Sequence, residues 1–280
     1  MIVDSHTHIL PDEFRADRDR ILARDATFRT LFSSPKARSA SSEDLLAEME
    51  ISGVDAAVVA GYGWTDLDTA KLSNDYLLRS ANENPGKLIP LCSVNPTWGL
   101  AAITEIERCA ASGARGIGEL HPDTQNFLNL DFGSLSPFFD AARSLNLPVL
   151  MHTSEPVGHS YPGKGAVTPE YSLALAKAFP ANTFVFAHFG GGLPFYALMP
   201  EVKRELSNVY FDSAATPFLY RPEVFQAAGV AAGFDRILFA TDYPLLGQQR
   251  VLDELRSANL PDDNRRQVLG GNARRIWNLV

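Results

Sequence analysis

The sequence has few of the features that mark secreted or membrane proteins. Its two cysteines, Cys92 and Cys109, are too few for a disulfide framework, and without a CxxC motif we expect them to be small buried apolar residues. No apolar run approaches the ~18 residues of a membrane span. The amino terminus also lacks the basic and apolar regions of a signal peptide. We therefore expect a cytoplasmic protein with no membrane partner.

Positive charge is also in deficit. Lys and Arg together number 25 against 33 Asp and Glu, so the formal net charge is −8. A nucleic-acid-binding domain would need a basic face, and we expect no nucleic-acid partner. Hydrophobic residues make up 45% of the chain, enough to bury a large core. A small-molecule substrate is the expected partner, and assembly into a homodimer is left open.

Eight apolar runs alternate with eight segments of helical length. The runs are nearly continuous, as in parallel strands covered on both faces, and lie at 2–8, 56–61, 88–94, 114–120, 148–153, 183–189, 208–214 and 236–242. The helices are predicted at 43–52, 67–82, 99–112, 134–146, 169–179, 195–206, 222–232 and 247–258. Strict alternation predicts an α/β fold, a (β/α)8 TIM barrel forming a single domain over 1–280. A doubly wound open sheet is the alternative, but the glycine-rich phosphate turn it usually carries is missing from the sequence.

Two segments extend this pattern. The connection 9–42 is too long for an ordinary βα loop, and such loops are usually functional covers or disordered. We predict a lid-like insertion over the barrel mouth with one short helix around 17–30. The segment 261–280 is predicted to add helical turns that close the barrel.

The histidines are concentrated at one end of the predicted barrel. All six lie at the carboxyl end of a predicted strand or in the loop after it, which is where barrels build active sites. His6 and His8 are two residues apart on one strand, so both rings face the same side and can grip zinc or a similar cation. Asp4 shares this parity, and we expect it below them inside the barrel.

Four further residues with metal-binding side chains end predicted strands four, five, six and eight: Glu119, His152, His188 and Asp242. Burying such groups is costly unless they are paired or coordinated. Singly, either histidine has the alternative of a hydrogen-bonded core residue, and Asp242 that of a helix cap. Together with His6 and His8 they predict a metal site.

These residues resemble the amidohydrolase superfamily, with HxH on strand one, His on strands five and six, and Asp on strand eight. The stretches VDSHTHILP, MHTSEP, FAHFGGG, LFATDYP and GGNARRIW resemble its amidohydrolase-related "family 2" branch. That branch holds hydrolases and the decarboxylases of the aminocarboxymuconate-semialdehyde and resorcylate types. The resemblance covers the chain from residue 2 to about 278.

The resemblance implies roles for individual residues. His6, His8 and Asp242 would hold the first ion; His152 would be a further ligand, leaving His188 as a free acid/base in the decarboxylase-like arrangement. Glu119 departs from the decarboxylases, which generally lack a ligand on strand four, whereas superfamily members with two ions carry a bridging carboxylate there. If Glu119 bridges, His152 and His188 take the second ion; otherwise Glu119 orients a ligand or meets substrate. We expect one or two divalent ions, Zn2+ first, with Mn2+ as the alternative.

The expected activity is hydrolysis of a C–N or ester-type bond in a small organic substrate. A divalent ion lowers the pKa of its water from about 15.7 to ~7. Asp242 would move the proton, and His188, if free, would stabilise the oxyanion. Non-oxidative decarboxylation of a small unsaturated or aromatic acid is the alternative. It is disfavoured by Glu119, because a carboxylate on strand four suggests the two-ion arrangement. A non-catalytic binding barrel is a third possibility, but it would be expected to have lost some of the metal ligands, and all of them are present in this sequence.

The loop 154–168 is the predicted substrate-binding segment. It carries polar side chains and could close over the barrel mouth, although a solvated loop is the alternative. The residues assigned to substrate are Glu155, His159, Tyr161 and Lys164.

Overall fold

Eight parallel strands follow one another in chain order around a barrel. In this computed structural model, which describes residues 1–279, they are β1 (Val3–His8), β2 (Ala56–Ala60), β3 (Leu88–Cys92), β4 (Gly116–Leu120), β5 (Val149–Met151), β6 (Phe184–Phe186), β7 (Val209–Asp212) and β8 (Ile237–Leu238). The ring closes where Ser5 N donates to Phe239 O at 2.8 Å and Asp242 N donates to His6 O at 2.9 Å. Each predicted run contains the observed strand. The predicted (β/α)8 barrel is confirmed, and the open sheet is excluded.

Helices pack around the strands and continue beyond them. The α-helices are α1 (Glu13–Ala16), α2 (Arg18–Arg24), α3 (Ala26–Phe32), α4 (Ser42–Ser52), α5 (Leu67–Glu83), α6 (Leu100–Ala111), α7 (Phe132–Ser144), α8 (Pro169–Ala178), the short turn α9 (Ala187–Gly190), α10 (Pro200–Glu205), α11 (Thr216–Leu219), α12 (Val224–Ala232), α13 (Gln248–Ser257), α14 (Asp262–Arg266) and α15 (Asn272–Ile276). Short 3-10 segments cover Pro96–Trp98, Leu193–Leu198 and Phe234–Arg236, and Gln267–Gly271 is a π-helical turn. Among residues 1–279, no helix is both long and apolar enough to cross a bilayer.

One predicted helix, 195–206, is broken. A 3-10 segment ends at Leu198, and α10 begins at Pro200. Met199 between them is extended (φ −84°, ψ 118°), because a residue before proline is disfavoured in the helical region. Proline suits the first position of the new helix, where its missing N–H is not needed.

The inside of the barrel holds a small apolar core closed at its amino-terminal end. Trp277, which follows α15, packs there with Val3, Ala56 and Leu91. Gly116 makes room for the indole, because a Cβ at this position would lie 2.8 Å from Trp277 Cζ3. The carboxy-terminal segment therefore closes the barrel with helical turns, as the sequence predicts. Val280 lies outside the described residues.

A bulge in β1 decides which way its polar side chains point. Asp4 pairs with Ala57 but Thr7 pairs with Val59, so the alternation of faces shifts between them. The Asp4 carboxylate faces the helix layer, where it accepts hydrogen bonds from Thr241 N (3.0 Å) and Gln248 Nε2 (2.9 Å). The expectation that Asp4 lies inside the barrel below the histidines is wrong, because it assumed an unbroken strand.

The connection 9–42 forms three short helices, α1 to α3, where the sequence suggested one. Phe14 lies 5.3 Å from the Trp64 ring, and Phe32 lies 5.3 Å from the Tyr62 ring, between ring centroids. Asp25 ties the segment to the loop after β2 by accepting a hydrogen bond from Thr65 N at 2.6 Å. The segment thus packs on a loop that borders the carboxyl end of the barrel.

Candidate metal centre

The six predicted ligands meet at the carboxyl end of the barrel. Five are at most 6% exposed, and the side chain of the sixth, Asp242, is 16% exposed. They come from β1 (His6, His8), from β4 (Glu119), and from the residues after β5 (His152), β6 (His188) and β8 (Asp242). Two groups of three, sharing Glu119, bring their ligand atoms within 4.8 Å of one another.

The first group contains His6, His8 and Glu119. The Nε2 atoms of the two histidines lie 3.0 Å apart. Glu119 Oε2 lies 3.6 Å from His6 Nε2 and 3.7 Å from His8 Nε2. Asp242 Oδ1 joins them at 3.2 Å from His8 Nε2. Four donor atoms therefore surround one small volume.

Hydrogen bonds on the far sides of these rings show that the volume suits a cation. His6 Nδ1 donates to Asp212 Oδ2 at 2.9 Å, and His8 Nδ1 donates to Ala60 O at 3.1 Å, since both oxygens only accept. In the neutral rings both Nε2 atoms then carry lone pairs that face each other. The pKa of His6 is held well above its usual value, because Glu119 and Asp212 outweigh the lowering effect of burial. The donor set fits a divalent metal ion, which would be coordinated by both lone pairs and would remove their mutual repulsion.

The second group contains Glu119, His152 and His188. His152 Nδ1 lies 3.2 Å from Glu119 Oε1 and 3.2 Å from His188 Nε2. On the far sides, His152 Nε2 donates to Lys164 O (3.0 Å) and His188 Nδ1 donates to Ala214 O (3.1 Å). The atoms facing Glu119 are again lone-pair nitrogens in the neutral rings. This donor set also fits a divalent cation.

The two rings of the second group differ in their proton affinity. Burial lowers the pKa of His152, but Glu119 outweighs it and raises the value to about 9. The pKa of His188 is lowered, first by burial and then by the neighbouring His152. His188 is therefore the neutral member of the pair, and the lone pair of its Nε2 faces His152 Nδ1 at 3.2 Å.

Glu119 reaches the centre through a bulge in β4. Ile117 pairs with Val149 but Leu120 pairs with Met151, so one extra residue is inserted beside β5. Gly118 permits this close approach: its φ is +145°, and a Cβ there would lie 2.6 Å from Leu150 O. Burial raises the pKa of Glu119, but His121 and His6 outweigh it and hold the pKa well below its usual value. Glu119 is thus a carboxylate between the two groups.

Two residues of the centre were not assigned from the sequence. Asp212, the last residue of β7, binds His6 and also accepts a hydrogen bond from His188 N at 3.0 Å. His121 Nε2 lies 2.9 Å from Glu119 Oε2, and its ring stacks on His152 with centroids 4.7 Å apart. The rule that found the ligands would have found Asp212, because it too is an acidic residue at the end of a buried strand.

The loop 154–168 adjoins the second group. Lys164 Nζ lies 3.2 Å from Glu155 Oε1, and Tyr161 Oη donates to Glu155 Oε2 at 3.2 Å. The ring of His159 is exposed and lies 5.5 Å from that of Tyr161. Three of the four residues predicted to bind substrate are therefore brought together, while His159 points to solvent. The carbonyl of Lys164 fixes the loop to His152.

The centre is enclosed. Cavities of about 340 and 270 Å³ lie at the opposite end of the barrel, lined by residues such as Leu255 and Asn146, and neither reaches the ligands. His188 and Asp242 adopt left-handed backbone conformations, with φ of 57° and 64°. Such conformations in residues other than glycine cluster at functional sites, where surrounding bonds hold them in place.

Comparison with known proteins agrees with this fold. The family model described as "Amidohydrolase" matches residues 3–279. Gamma-resorcylate decarboxylase from Polaromonas sp. strain JS666 is 22% identical over 250 residues, which are 76% of this chain and 77% of the relative. 2-Amino-3-carboxymuconate-6-semialdehyde decarboxylase from Dictyostelium discoideum is 25% identical over 247 residues, 74% of this chain and 66% of the relative.

Solved structures share the fold. 5-Carboxyvanillate decarboxylase from Sphingomonas paucimobilis aligns with a TM-score of 0.80 at 19% identity, over 100% of this chain and 99% of that chain. Dihydroxybenzoic acid decarboxylase from Polaromonas sp. JS666, with bound manganese and the inhibitor 2-nitroresorcinol, aligns with a TM-score of 0.74 at 18% identity, over 99% and 97% of the two chains.

The relatives correct the expected reaction. The sequence favoured hydrolysis because Glu119 suggested a bridging carboxylate, but both of these curated relatives are decarboxylases. The prediction of hydrolysis is wrong, and the relatives support its alternative. The physical reason is that a carboxylate on β4 sets the donor atoms and the local charge, without determining which substrate bond breaks. The resemblance to the amidohydrolase-related branch is confirmed: matched from residue 3 to 279, the chain belongs to the amidohydrolase family.

Proposed function

We propose that the protein is a metal-dependent, non-oxidative decarboxylase of an aromatic carboxylic acid. The observation that carries the proposal is the 3.0 Å separation of His6 Nε2 and His8 Nε2, with Asp242 Oδ1 at 3.2 Å, in a chain related to decarboxylases. A buried cation held by these atoms would attract an anionic acid. The unsaturated, non-aromatic acid of the Dictyostelium relative's type is the second substrate class to test.

His6, His8 and Asp242 are the residues we assign to the first ion. Glu119, His152 and His188 offer the remaining donor atoms, and Glu119 lies where it could serve both groups. We expect manganese first, because a solved family structure carries it, and zinc second. When bound, the divalent ion supplies positive charge that orients the oxygen atoms of the acid.

The reaction breaks the bond between the ring carbon and the carboxylate, releases CO2 and adds a proton to that carbon. Asp242 and His188 are the groups we assign to proton transfer. Burial raises the pKa of Asp242, but its hydrogen bond with His8 and the neighbouring histidines lower it to about 2, so Asp242 is an ionised carboxylate. It would carry a proton only in passing, from solvent to the ring carbon. If His188 binds no ion, its Nε2 would take up a proton from solvent and deliver it to the ring carbon, because the lowered pKa makes the protonated ring a ready donor.

Substrate must pass the segments that enclose the centre. We propose that 9–42 is a lid, because its aromatic side chains pack on Tyr62 and Trp64 beside His8. The Tyr62 ring stacks on His8 with centroids 3.9 Å apart. The loop 154–168, with Glu155, His159, Tyr161 and Lys164, is the second movable cover and the proposed border of the substrate pocket.

The test is a decarboxylation assay on protein loaded with manganese or zinc. A panel of benzoate, 2-hydroxybenzoate, 2,6-dihydroxybenzoate and 5-carboxyvanillate is incubated in D2O, alongside amide and ester substrates. We expect CO2 release with one deuterium placed on the ring carbon that carried the carboxylate, and loss of this activity in His6→Ala. Lys203→Ala, which removes an exposed side chain of α10 outside the proposed site, is the control and should retain activity. Hydrolysis without decarboxylation would contradict the proposal.

A further inference from the structure

The hydroxyl of Tyr220 is a buried polar group without a partner. Tyr220 directly follows α11, in the connection after β7. Its Oη is inaccessible to solvent and has no hydrogen-bond partner among residues 1–279. Native proteins rarely leave a buried hydroxyl unpaired, and an exception calls for an explanation.

Packing, rather than the hydroxyl, holds the Tyr220 ring in place. Phe189 meets it edge to face, with centroids 6.0 Å apart and an interplanar angle of 83°. Phe195 meets it at 6.4 Å and 70°. The backbone N of Tyr220 donates to Thr216 O at 2.9 Å. The hydroxyl is therefore presented by a fixed ring, as a binding group needs to be.

The hydroxyl lies where the loops after β5, β6 and β7 meet. A Cβ on Gly192, four residues after His188, would be 3.9 Å from Tyr220 Oη. A Cβ on the adjacent Gly191 would be 2.3 Å from Ser154 O, at the start of the loop 154–168. The backbone of the predicted substrate loop therefore packs directly on Gly191, and the hydroxyl of Tyr220 lies beside the next residue, Gly192.

The surroundings keep the hydroxyl protonated and leave it to donate. Burial first, and then the charge of Glu155, raise the pKa of Tyr220 to about 12. The two oxygens of Glu155 already face Lys164 Nζ and Tyr161 Oη, each at 3.2 Å. An incoming oxygen atom would therefore find a donor beside apolar ring faces, the usual make-up of a small-molecule pocket.

We propose that Tyr220 Oη–H donates a hydrogen bond to an oxygen atom of the bound aromatic acid and so determines substrate specificity. This inference rests on the proposed function. Phe195, which is 37% exposed, would provide an apolar wall for the aromatic substrate, while the buried Phe189 supports the Tyr220 ring. The hydroxyl would select acids with an oxygen at the matching position.

Tyr220→Phe tests the inference, with Tyr171→Phe as the matched control. Tyr171 Oη on α8 is also buried without a partner among residues 1–279, but its ring packs on Phe132 of α7, between two helices. The affinity of manganese-loaded wild type and both variants for 2-hydroxybenzoate is measured by titration calorimetry. We expect Tyr220→Phe to weaken binding about ten-fold and Tyr171→Phe to leave it unchanged.

A second measurement separates binding from stability. Because Tyr220 Oη bonds no protein group among residues 1–279, the ligand-free Tyr220→Phe protein should unfold within about 1 °C of wild type, whereas loss of a structural hydrogen bond would lower Tm by roughly 2–4 °C. Equal affinity of wild type and Tyr220→Phe, or a lowered Tm of the ligand-free Tyr220→Phe protein, would overturn this inference but not the proposed function. Failure of the wild type to bind any acid of the panel would overturn it together with the proposed function.

Discussion

Asp212 Oδ2 lies 2.9 Å from His6 Nδ1 and fixes which nitrogen of His6 faces the centre. With the proton on Nδ1, the lone pair of Nε2 points toward His8. The other Asp212 oxygen accepts hydrogen bonds from the backbone N of His188 and of Ala214, both at 3.0 Å. One carboxylate on β7 therefore orients residues from β1 and from the turn after β6.

Asp212→Asn should weaken metal binding. An amide cannot accept at both positions, so either the bond from His6 Nδ1 or those from the backbone are lost. Loss of such an orienting partner typically costs about 10–100-fold in metal affinity. Competition with a chromophoric chelator measures the change, and Asp253→Asn, an exposed residue of α13, is the control. Unchanged affinity in Asp212→Asn would show that His6 keeps its orientation without the carboxylate.

Glu119→Gln tests whether one carboxylate serves both groups of ligands. If Glu119 bridges two ions, the amide should reduce metal content from two ions per chain toward one, because a neutral side chain cannot offset the charge of two cations. Elemental analysis of the purified protein gives the ratio. Glu201→Gln, on the exposed side of α10, should leave it unchanged. A ratio that is the same in wild type and Glu119→Gln excludes bridging.

Gly118→Ala should destabilise the barrel and displace Glu119. The added Cβ would lie 2.6 Å from Leu150 O, and φ at this position is +145°. Strain and clash together should cost about 2–5 kcal/mol in the free energy of unfolding, and metal content should fall. Gly113→Ala is the control, because its φ is +105° but nothing lies within 4 Å of the added atom. Urea unfolding of that variant should give a loss of about 1–2 kcal/mol from strain alone.

Asp25→Ala should loosen the proposed lid. Its carboxylate caps α3 by accepting from Phe28 N at 2.8 Å and holds the segment to the loop after β2 through Thr65 N. Loss of these bonds should cost about 1–2 kcal/mol, a factor of roughly 5–30 in the opening equilibrium. Hydrogen exchange should then quicken across 9–42 and not in the strands. Asp12→Ala is the control, since Asp12 precedes α1 without a side-chain cap bond; equal exchange in both variants would refute the tether.

The strands and the ligand set could be predicted because both follow from local patterns. Buried parallel strands are apolar runs, and in a barrel their carboxyl ends meet regardless of loop conformation. The sequence was therefore enough to predict that His6, His152 and Asp242 lie close together. The inward face of β1 could not be assigned in full, because the bulge between Asp4 and Thr7 arises from pairing with β2 and leaves no mark in the sequence.

The chemistry was harder to predict than the site. Glu119 was correctly placed near the histidines, yet its presence pointed to hydrolysis, the reaction that the relatives contradict. The donor atoms of the ligands indicate which metal ion can bind and the local charge at its site. The reaction depends on the substrate that the surrounding loops admit, and hydroxyls such as that of Tyr220 become informative only when their surroundings are known.

The indole of Trp277 leaves only the carboxyl end of the barrel for substrate entry. In the barrel that residues 1–279 form, this ring and the apolar side chains around it fill the amino-terminal mouth. In a decarboxylase of this build, acid, CO2 and decarboxylated ring would share one route, past 9–42 and 154–168. The order in which the two products leave would then depend on how far these segments open, and CO2, the smaller, would leave first.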